Sequence, residues 1–257
     1  MRVTICELPH EPVLLEAAWA ALCRHAAEAR SEFVVLPELA MVEPFWERAP
    51  FDADRWAVAE AVGKLWLARL GELKVKYVLG TRAASQDGRH YNEGFLWIDG
   101  VGPTPLRRKY LLPDEPGGWE GQWFDRGDPD FPIYKVGDLS FGLNVCTELW
   151  AVETYREYSR QKIQVIFTPR ATSAGTTNKW MSAGTVAAVR SGAYSISSNR
   201  IDDGGECGGV GWIISPTGQL LELTTRSDPF ATVDIDLTFP DIAREQYPGY
   251  VFSATSR

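Results

Sequence analysis

The stretch GLNVCTELW, residues 142–150, ends an apolar run on a cysteine and follows it with a small polar residue and an acid. Packing alone does not ask for that order. A thiol at the end of a strand and just before a helix meets unpaired amides and a helix dipole, and both favour a thiolate. A free cysteine is also among the most buried residue types. That is the commoner outcome for such a residue taken alone, and Cys6, Cys23 and Cys207 keep it. A thiol nucleophile needs a base. The three histidines, His10, His25 and His90, stand in no recognisable partner motif. The other candidate is a carboxylate desolvated enough to approach the thiol in proton affinity.

Three further positions carry usable charge. Glu38 in VVLPELA follows a buried-type strand and a proline; residues just past the carboxyl end of such a strand line the crevice of an α/β sheet. Lys109 in LRRKYLLP is flanked by Leu106, Tyr110, Leu111 and Leu112. A lysine buried among them requires a carboxylate partner and can hold a tetrahedral oxyanion. Its neighbours Arg107 and Arg108 read as a solvated charge run. Glu120 in WEGQWF sits among aromatics, surroundings that raise a carboxyl group's proton affinity. Each of these residues taken singly also reads as an ordinary surface charge.

The elements that must position them alternate in type. Strands are expected at 3–8, 33–37, 76–83, 91–99, 139–146 and 165–169. Four more follow within 193–199, 209–216, 220–224 and 231–237. Helices are expected at 13–30, 54–73 with Asp52 or Asp54 as cap, 150–162 and 178–191. A polar loop joins the third and fourth strands at 85–90. The loop at 112–132, rich in Gly, Pro, Asp and Trp, is long enough to suggest function. This order predicts an α/β protein with helices covering its sheets. With no Pro/Ser-rich linker, residues 1–257 read as one domain.

Composition narrows the classes. The 257 residues are 45% hydrophobic and 23% charged, with net charge −8. That balance disfavours nucleic acid as a partner. No apolar run reaches a membrane span, and no leader is expected. The four cysteines show no paired spacing, so the expectation is a reduced, cytoplasmic, soluble protein. GxGxxG, GxxxxGK[ST] and HExxH are absent, and neither cofactor nor metal is expected.

In the order Glu38, Lys109, Cys146 the chain resembles the nitrilase superfamily of carbon–nitrogen hydrolases, whose members carry a Glu-Lys-Cys triad in that order. LPEL, RRKYLLP and GLNVCTELW are similar to the family's three motifs, with Glu148 at the acid commonly found two residues after the thiol. YNEGFLWIDG resembles the strand pair before the lysine, and VIFTP the strand after the cysteine helix. AAVRSGAYSISSNR and GWIISPTGQLLE resemble later segments, so the likeness runs along nearly the whole chain. WEGQWFDRGD is similar to the second-glutamate region, which makes Glu120 the expected fourth residue and Glu115 the reserve. Two positions depart from the common pattern: Thr147, where an aromatic or Asn is frequent, and Arg170, where a small residue is usual. Both bear on substrate choice more than on mechanism.

The resemblance implies a four-layer α-β-β-α sandwich with two packed mixed β-sheets. It implies a thiol hydrolase of a small amide or N-carbamoyl compound, acting through a Cys146 thioester with Glu38 as base. Lys109 and the Thr147 amide would hold the oxyanion. Glu148 is expected to support the site from the first turn of its helix. A nitrilase uses the same triad and is the alternative, as is a catalytically silent binding or assembly member. For the pocket, Trp119, Trp123, Trp150 and Trp180 are candidate aromatic walls. Arg170 is a candidate partner of either a substrate carboxylate or a protein acid. Family members assemble through helices outside the sandwich, so a homodimer or larger homo-oligomer is expected.

Overall fold

The computed structural model describes residues 1–254. Thirteen strands and seven α-helices alternate along the described chain. β1 (Arg2–Leu8), α1 (Pro12–Glu28), β2 (Phe33–Val35), α2 (Ala53–Leu67), β3 (Tyr77–Gln86), β4 (Arg89–Ile98) and β5 (Gly102–Arg108) form the first half. α3 (Glu120–Trp123) is a single turn inside the long loop. β6 (Ile133–Val136), β7 (Leu139–Leu143), α4 (Glu153–Arg160), β8 (Val165–Phe167), α5 (Thr177–Ser191) and β9 (Tyr194–Ser197) follow. The chain continues through β10 (Asn199–Arg200), β11 (Trp212–Ile214), β12 (Leu220–Leu223), β13 (Phe230–Asp234), α6 (Phe239–Glu245) and α7 (Gly249–Ala254).

These strands build two mixed sheets. The first runs β10-β1-β2-β3-β4-β5, with β13 also pairing β1, and the second runs β12-β11-β9-β8-β7-β6. β1, β2 and β3 are parallel, as are β7, β8 and β9. The run FVVL shows how the layers arise. Phe33 and Val35 point into one core cluster, whereas Val34 and Leu36 point into another, because side chains alternate faces along a strand. The first cluster lies between the sheets, where Phe33 of β2 stacks on Phe167 of β8 at 4.7 Å and 11°; it continues to Tyr155 and Tyr158 of α4 and Ala187 of α5. The second packs Trp19 and Leu22 of α1 and Trp66 of α2 on the outer face of β2 and β3. A strand buried on both faces has no polar side to expose, hence its continuous apolar sequence. The result is the α-β-β-α sandwich.

Local chemistry sets the element ends. Glu11 accepts a hydrogen bond from the Leu14 amide at 2.8 Å ahead of Pro12, the first residue of α1. Asp52 caps α2 through the amides of Asp54 and Arg55, at 3.0 and 3.1 Å. The expected helix 54–73 divides: α2 stops at Leu67 and a 3-10 turn takes Leu70–Leu73. The tighter turn keeps Leu70 and Leu73 on the buried face. The loop expected at 85–90 shrinks to Asp87 and Gly88, with φ of 53° and 75°, a two-residue hairpin turn of the kind Asp-Gly favours. β5 was not expected as a strand, since Pro103 and Pro105 argue against one. It lies at the end of its sheet, where missing amide donors are tolerated. β6, also terminal, and the short α6 and α7 carry too little periodicity to be read in advance. The expected helix 150–162 is shorter, because Cys146–Trp150 winds as a 3-10 turn before α4.

Candidate active site

The sandwich brings the ends of β2 and β7 face to face. Past β2 comes Glu38, whose amide donates to the Arg170 carbonyl oxygen at 3.1 Å. Past β7 comes Cys146, whose amide donates to the Pro169 carbonyl oxygen at 2.9 Å. Two consecutive carbonyls beyond β8 therefore hold the backbones of both residues. Cys146 itself has a φ of 48°, a left-handed conformation uncommon for a residue with a Cβ and frequent where geometry serves function. The next amide, of Thr147, meets no acceptor among the described residues.

Lys109 follows β5 and is fully buried. Its amide donates to the Asn92 carbonyl oxygen on β4 at 2.9 Å. Its ammonium donates to Oε1 of Glu38 at 2.8 Å and to both oxygens of Glu120, each at 2.8 Å. Both carboxylates are buried as well. Asn92 Nδ2 adds a second bond to Glu38 Oε1 at 2.8 Å. Glu120 reaches the lysine because α3 turns it inward, while Glu115, the reserve, is exposed in a preceding turn.

The electrostatics follow from burial. Desolvation pushes the Glu120 carboxyl up to about 7, against the pull of Lys109 and with the push of the Glu38 charge. Desolvation works to lower the Lys109 ammonium, but Glu120, Glu38 and Cys146 outweigh it and hold its proton more tightly than in water. Cys146 is 4% exposed. Burial and the Glu38 charge drive its thiol well up, and Lys109 opposes them. The resting sulfur is therefore protonated at neutral pH, and a nucleophile here depends on a base beside it. His25 bonds the Thr232 hydroxyl and His90 stacks on Phe51 at 4.8 Å, and the charges acting on the Cys146 thiol are those of Glu38, Lys109 and Glu120.

Glu148 ties the lysine segment to the cysteine turn. Its carboxylate accepts from the amides of Val145 at 2.9 Å and Tyr110 at 2.7 Å, and pairs with the Arg107 guanidinium. This corrects the reading of Arg107 as solvated: the residue is 7% exposed. Arg108 pairs with Glu93 and lies over the Tyr91 ring at 3.9 Å. Behind the turn, Tyr158 of α4 donates to Asn144 Oδ1 at 2.9 Å. It approaches so closely that a Cβ on Gly142 would sit 2.5 Å from its ring. We predict that Glu148→Gln destabilises the fold by about 3–5 kcal/mol, because Arg107 is left buried without its counter-charge. Denaturant unfolding of the purified variant measures this.

The pocket candidates separate. Arg170 is 1% exposed, and its guanidinium donates to Ser197 Oγ at 2.7 Å, to Thr172 Oγ1 at 2.8 Å and to the Val210 carbonyl oxygen. It also lies over the Trp212 ring at 3.9 Å. None of its hydrogen bonds is to a carboxylate. Burial pushes it down to about 9. Trp119 is half-buried against the aromatic cluster that includes Trp46 and Trp123, and Trp150 is 46% exposed and packs on Trp180 at 5.4 Å. Asn92 and the carbonyls of Pro169 and Arg170 escaped the sequence reading. The only signal for Asn92 was a buried-type strand, YNEGFLWI, that carries an amide side chain. Among the described residues, no group of three or more His, Cys, Asp or Glu side chains is arranged to hold a metal. No helix among them is long and apolar enough to cross a membrane.

Two packed mixed sheets with helices outside are the architecture that the resemblance implies. The chain belongs to the carbon–nitrogen hydrolase family, which it matches over residues 6–239. The structure is similar to a carbon–nitrogen hydrolase from Helicobacter pylori G27, with TM-score 0.86 at 18% identity, covering 98% of this chain and 94% of that one. It is also similar to an amidase from Nesterenkonia sp., with TM-score 0.77 at 16% identity, covering 99% and 96%. In sequence, 83 residues are 34% identical to N-carbamoylputrescine amidase of Solanum lycopersicum, covering 32% of this chain and 27% of that protein. The Arabidopsis thaliana protein of that name is 30% identical over 83 residues, with the same coverage. The matched stretch thus spans about a quarter of the length of these curated relatives.

Proposed function

We propose that the protein is a single-domain thiol hydrolase of a small, non-peptide amide or N-carbamoyl compound. The observation that carries this reading is the Lys109 ammonium held at 2.8 Å from both Glu38 and Glu120, three buried charged groups that all act on the Cys146 thiol. Glu38 takes the thiol proton as the sulfur attacks the carbonyl carbon. The carbonyl electron pair moves onto oxygen, where Lys109 and the Thr147 amide stabilise it. As that pair returns, the carbon–nitrogen bond breaks and Glu38 gives its proton to the departing nitrogen. Ammonia or an amine leaves and a Cys146 thioester remains. Water then attacks the thioester with Glu38 again as base, releasing the acid and restoring the thiol. Glu120 orients Lys109 throughout.

The related structures support the chemistry. In a mutant of the amidase from Nesterenkonia sp. AN1, the acetamide moiety of fluoroacetamide is covalently added at the active-site cysteine. The curated amidases named above point toward N-carbamoyl substrates. A nitrile places its carbon before the same triad, and a substrate panel scored for ammonia release and acid product separates the two. Arg170, with its donors occupied by Ser197, Thr172 and Val210, acts as framework; Trp119 and Trp150 remain candidate walls. A cytoplasmic homodimer or larger assembly completes the reading.

Glu38→Gln tests it. An amide cannot accept the thiol proton, so ammonia release should fall by at least about 1,000-fold, the upper part of the range for a general base and more for one acting in both half-reactions. Turnover within about tenfold of wild type in a folded Glu38→Gln protein would sink the assignment.

A further inference from the structure

Glu38 uses its two oxygens unequally. Oε1 receives both Lys109 Nζ and Asn92 Nδ2 at 2.8 Å. Among the described residues, the side-chain hydrogen bonds to Glu38 both reach Oε1 and none reaches Oε2. We propose that Asn92 is a positioning residue, whose side-chain amide fixes Oε1 so that Oε2 alone is presented to the Cys146 thiol. The proposal rests on the reading of Glu38 as the base.

Two observations support it. The first is orientation. Turning the Asn92 amide over would set its carbonyl against a carboxylate, two acceptors facing one another, so Nδ2 must point to Glu38. The second is the penalty that orientation carries. Asn92 is 1% exposed and its Oδ1 is buried without a partner. A leucine of similar size would avoid that penalty, so stability alone does not explain an asparagine here. The same residue also accepts the Lys109 amide on its carbonyl oxygen at 2.9 Å. One residue of β4 thus registers both members of the Glu38–Lys109 pair. The other charged or titratable groups acting around Glu38 are Lys109 past β5, Glu120 on α3, Cys146 past β7 and Arg200 on β10. None but Lys109 and Asn92 holds Oε1.

The test is a double-mutant cycle on the rate at which iodoacetamide alkylates Cys146, a readout that needs no amide substrate. Asn92→Leu should slow alkylation by about 10- to 100-fold, the effect of losing a hydrogen bond to a charged group. Glu38→Gln should slow it too, and the double variant should be no slower than Glu38→Gln alone, because Asn92 acts only through Glu38. On an amide that the wild type hydrolyses, Asn92→Leu should lower kcat by a similar factor and leave KM unmoved. Asn92→Ala, which removes the amide without adding a titratable group, should show the same loss if the leucine variant does not fold. Alkylation at the wild-type rate in either variant, or effects that multiply in the double variant, would overturn the proposal. Rapid labelling of a wild type that releases ammonia from no amide would instead count against the hydrolase reading and leave this one standing.

Discussion

Cys146→Ala should reduce turnover by at least about 10,000-fold, the scale seen when a covalent nucleophile is removed, while the protein stays folded. The substitution removes one sulfur from a residue that is 4% exposed and keeps a Cβ at the same φ of 48°, so backbone strain is unchanged. The Cys146 amide keeps its bond to the Pro169 carbonyl. Glu38 and Lys109 remain in place, but no side chain is left to form the covalent intermediate. Steady-state ammonia release measures the loss, and a thermal melt within a few degrees of wild type shows that it is chemical. A folded Cys146→Ala protein with comparable turnover would remove the nucleophile from the scheme.

Lys109→Met should fail on two fronts. Its ammonium is the cation that hydrogen-bonds both Glu38 and Glu120. Breaking a buried ion pair by removing one partner costs about 3–5 kcal/mol. The lost oxyanion donor should cost a further 100- to 1,000-fold in rate, roughly the effect of removing one such group elsewhere. The stability loss should depend on pH, with a definite sign. Burial already holds the Glu120 carboxyl up at about 7 against an ordinary 4.5, and removing Lys109 takes away the charge that pulls it down. A carboxyl raised in the folded state contributes stability that is full below its unfolded value and is lost as pH rises through the folded one. The variant should therefore lose most stability relative to wild type at pH 8 and recover part of it toward pH 5. Glu120→Gln added to Lys109→Met should restore stability but not activity. Denaturant midpoints at the two pH values, with kcat/KM alongside, provide the measurement; equal destabilisation at both pH values would contradict the buried-pair account.

The sequence carried the chemistry better than its setting. Glu38, Lys109 and Cys146 each lie just beyond a strand, and the motif order was enough to single them out. Glu120 was singled out by the likeness of WEGQWFDRGD to the family's second-glutamate region, since its aromatic neighbours alone also fit an ordinary loop acid. What sequence reading lost were contacts made across sequence distance. The carbonyls of Pro169 and Arg170 serve through the main chain, which leaves no mark in residue type. Arg107 looked solvated because its counter-charge, Glu148, lies beyond two intervening strands. β5 was hidden by Pro103 and Pro105, residues that an edge strand tolerates and a central one does not. Asn92 was passed over within YNEGFLWID, which was read as a strand without attention to its individual side chains.

The most direct measurement of the central claim is site-resolved alkylation. Wild-type protein treated with one equivalent of iodoacetamide, digested and read by mass spectrometry, should carry the label on Cys146, lose ammonia release in step with labelling, and be protected by an amide it hydrolyses. Full activity with Cys146 quantitatively alkylated, or inactivation that tracks Cys23 instead, would contradict it.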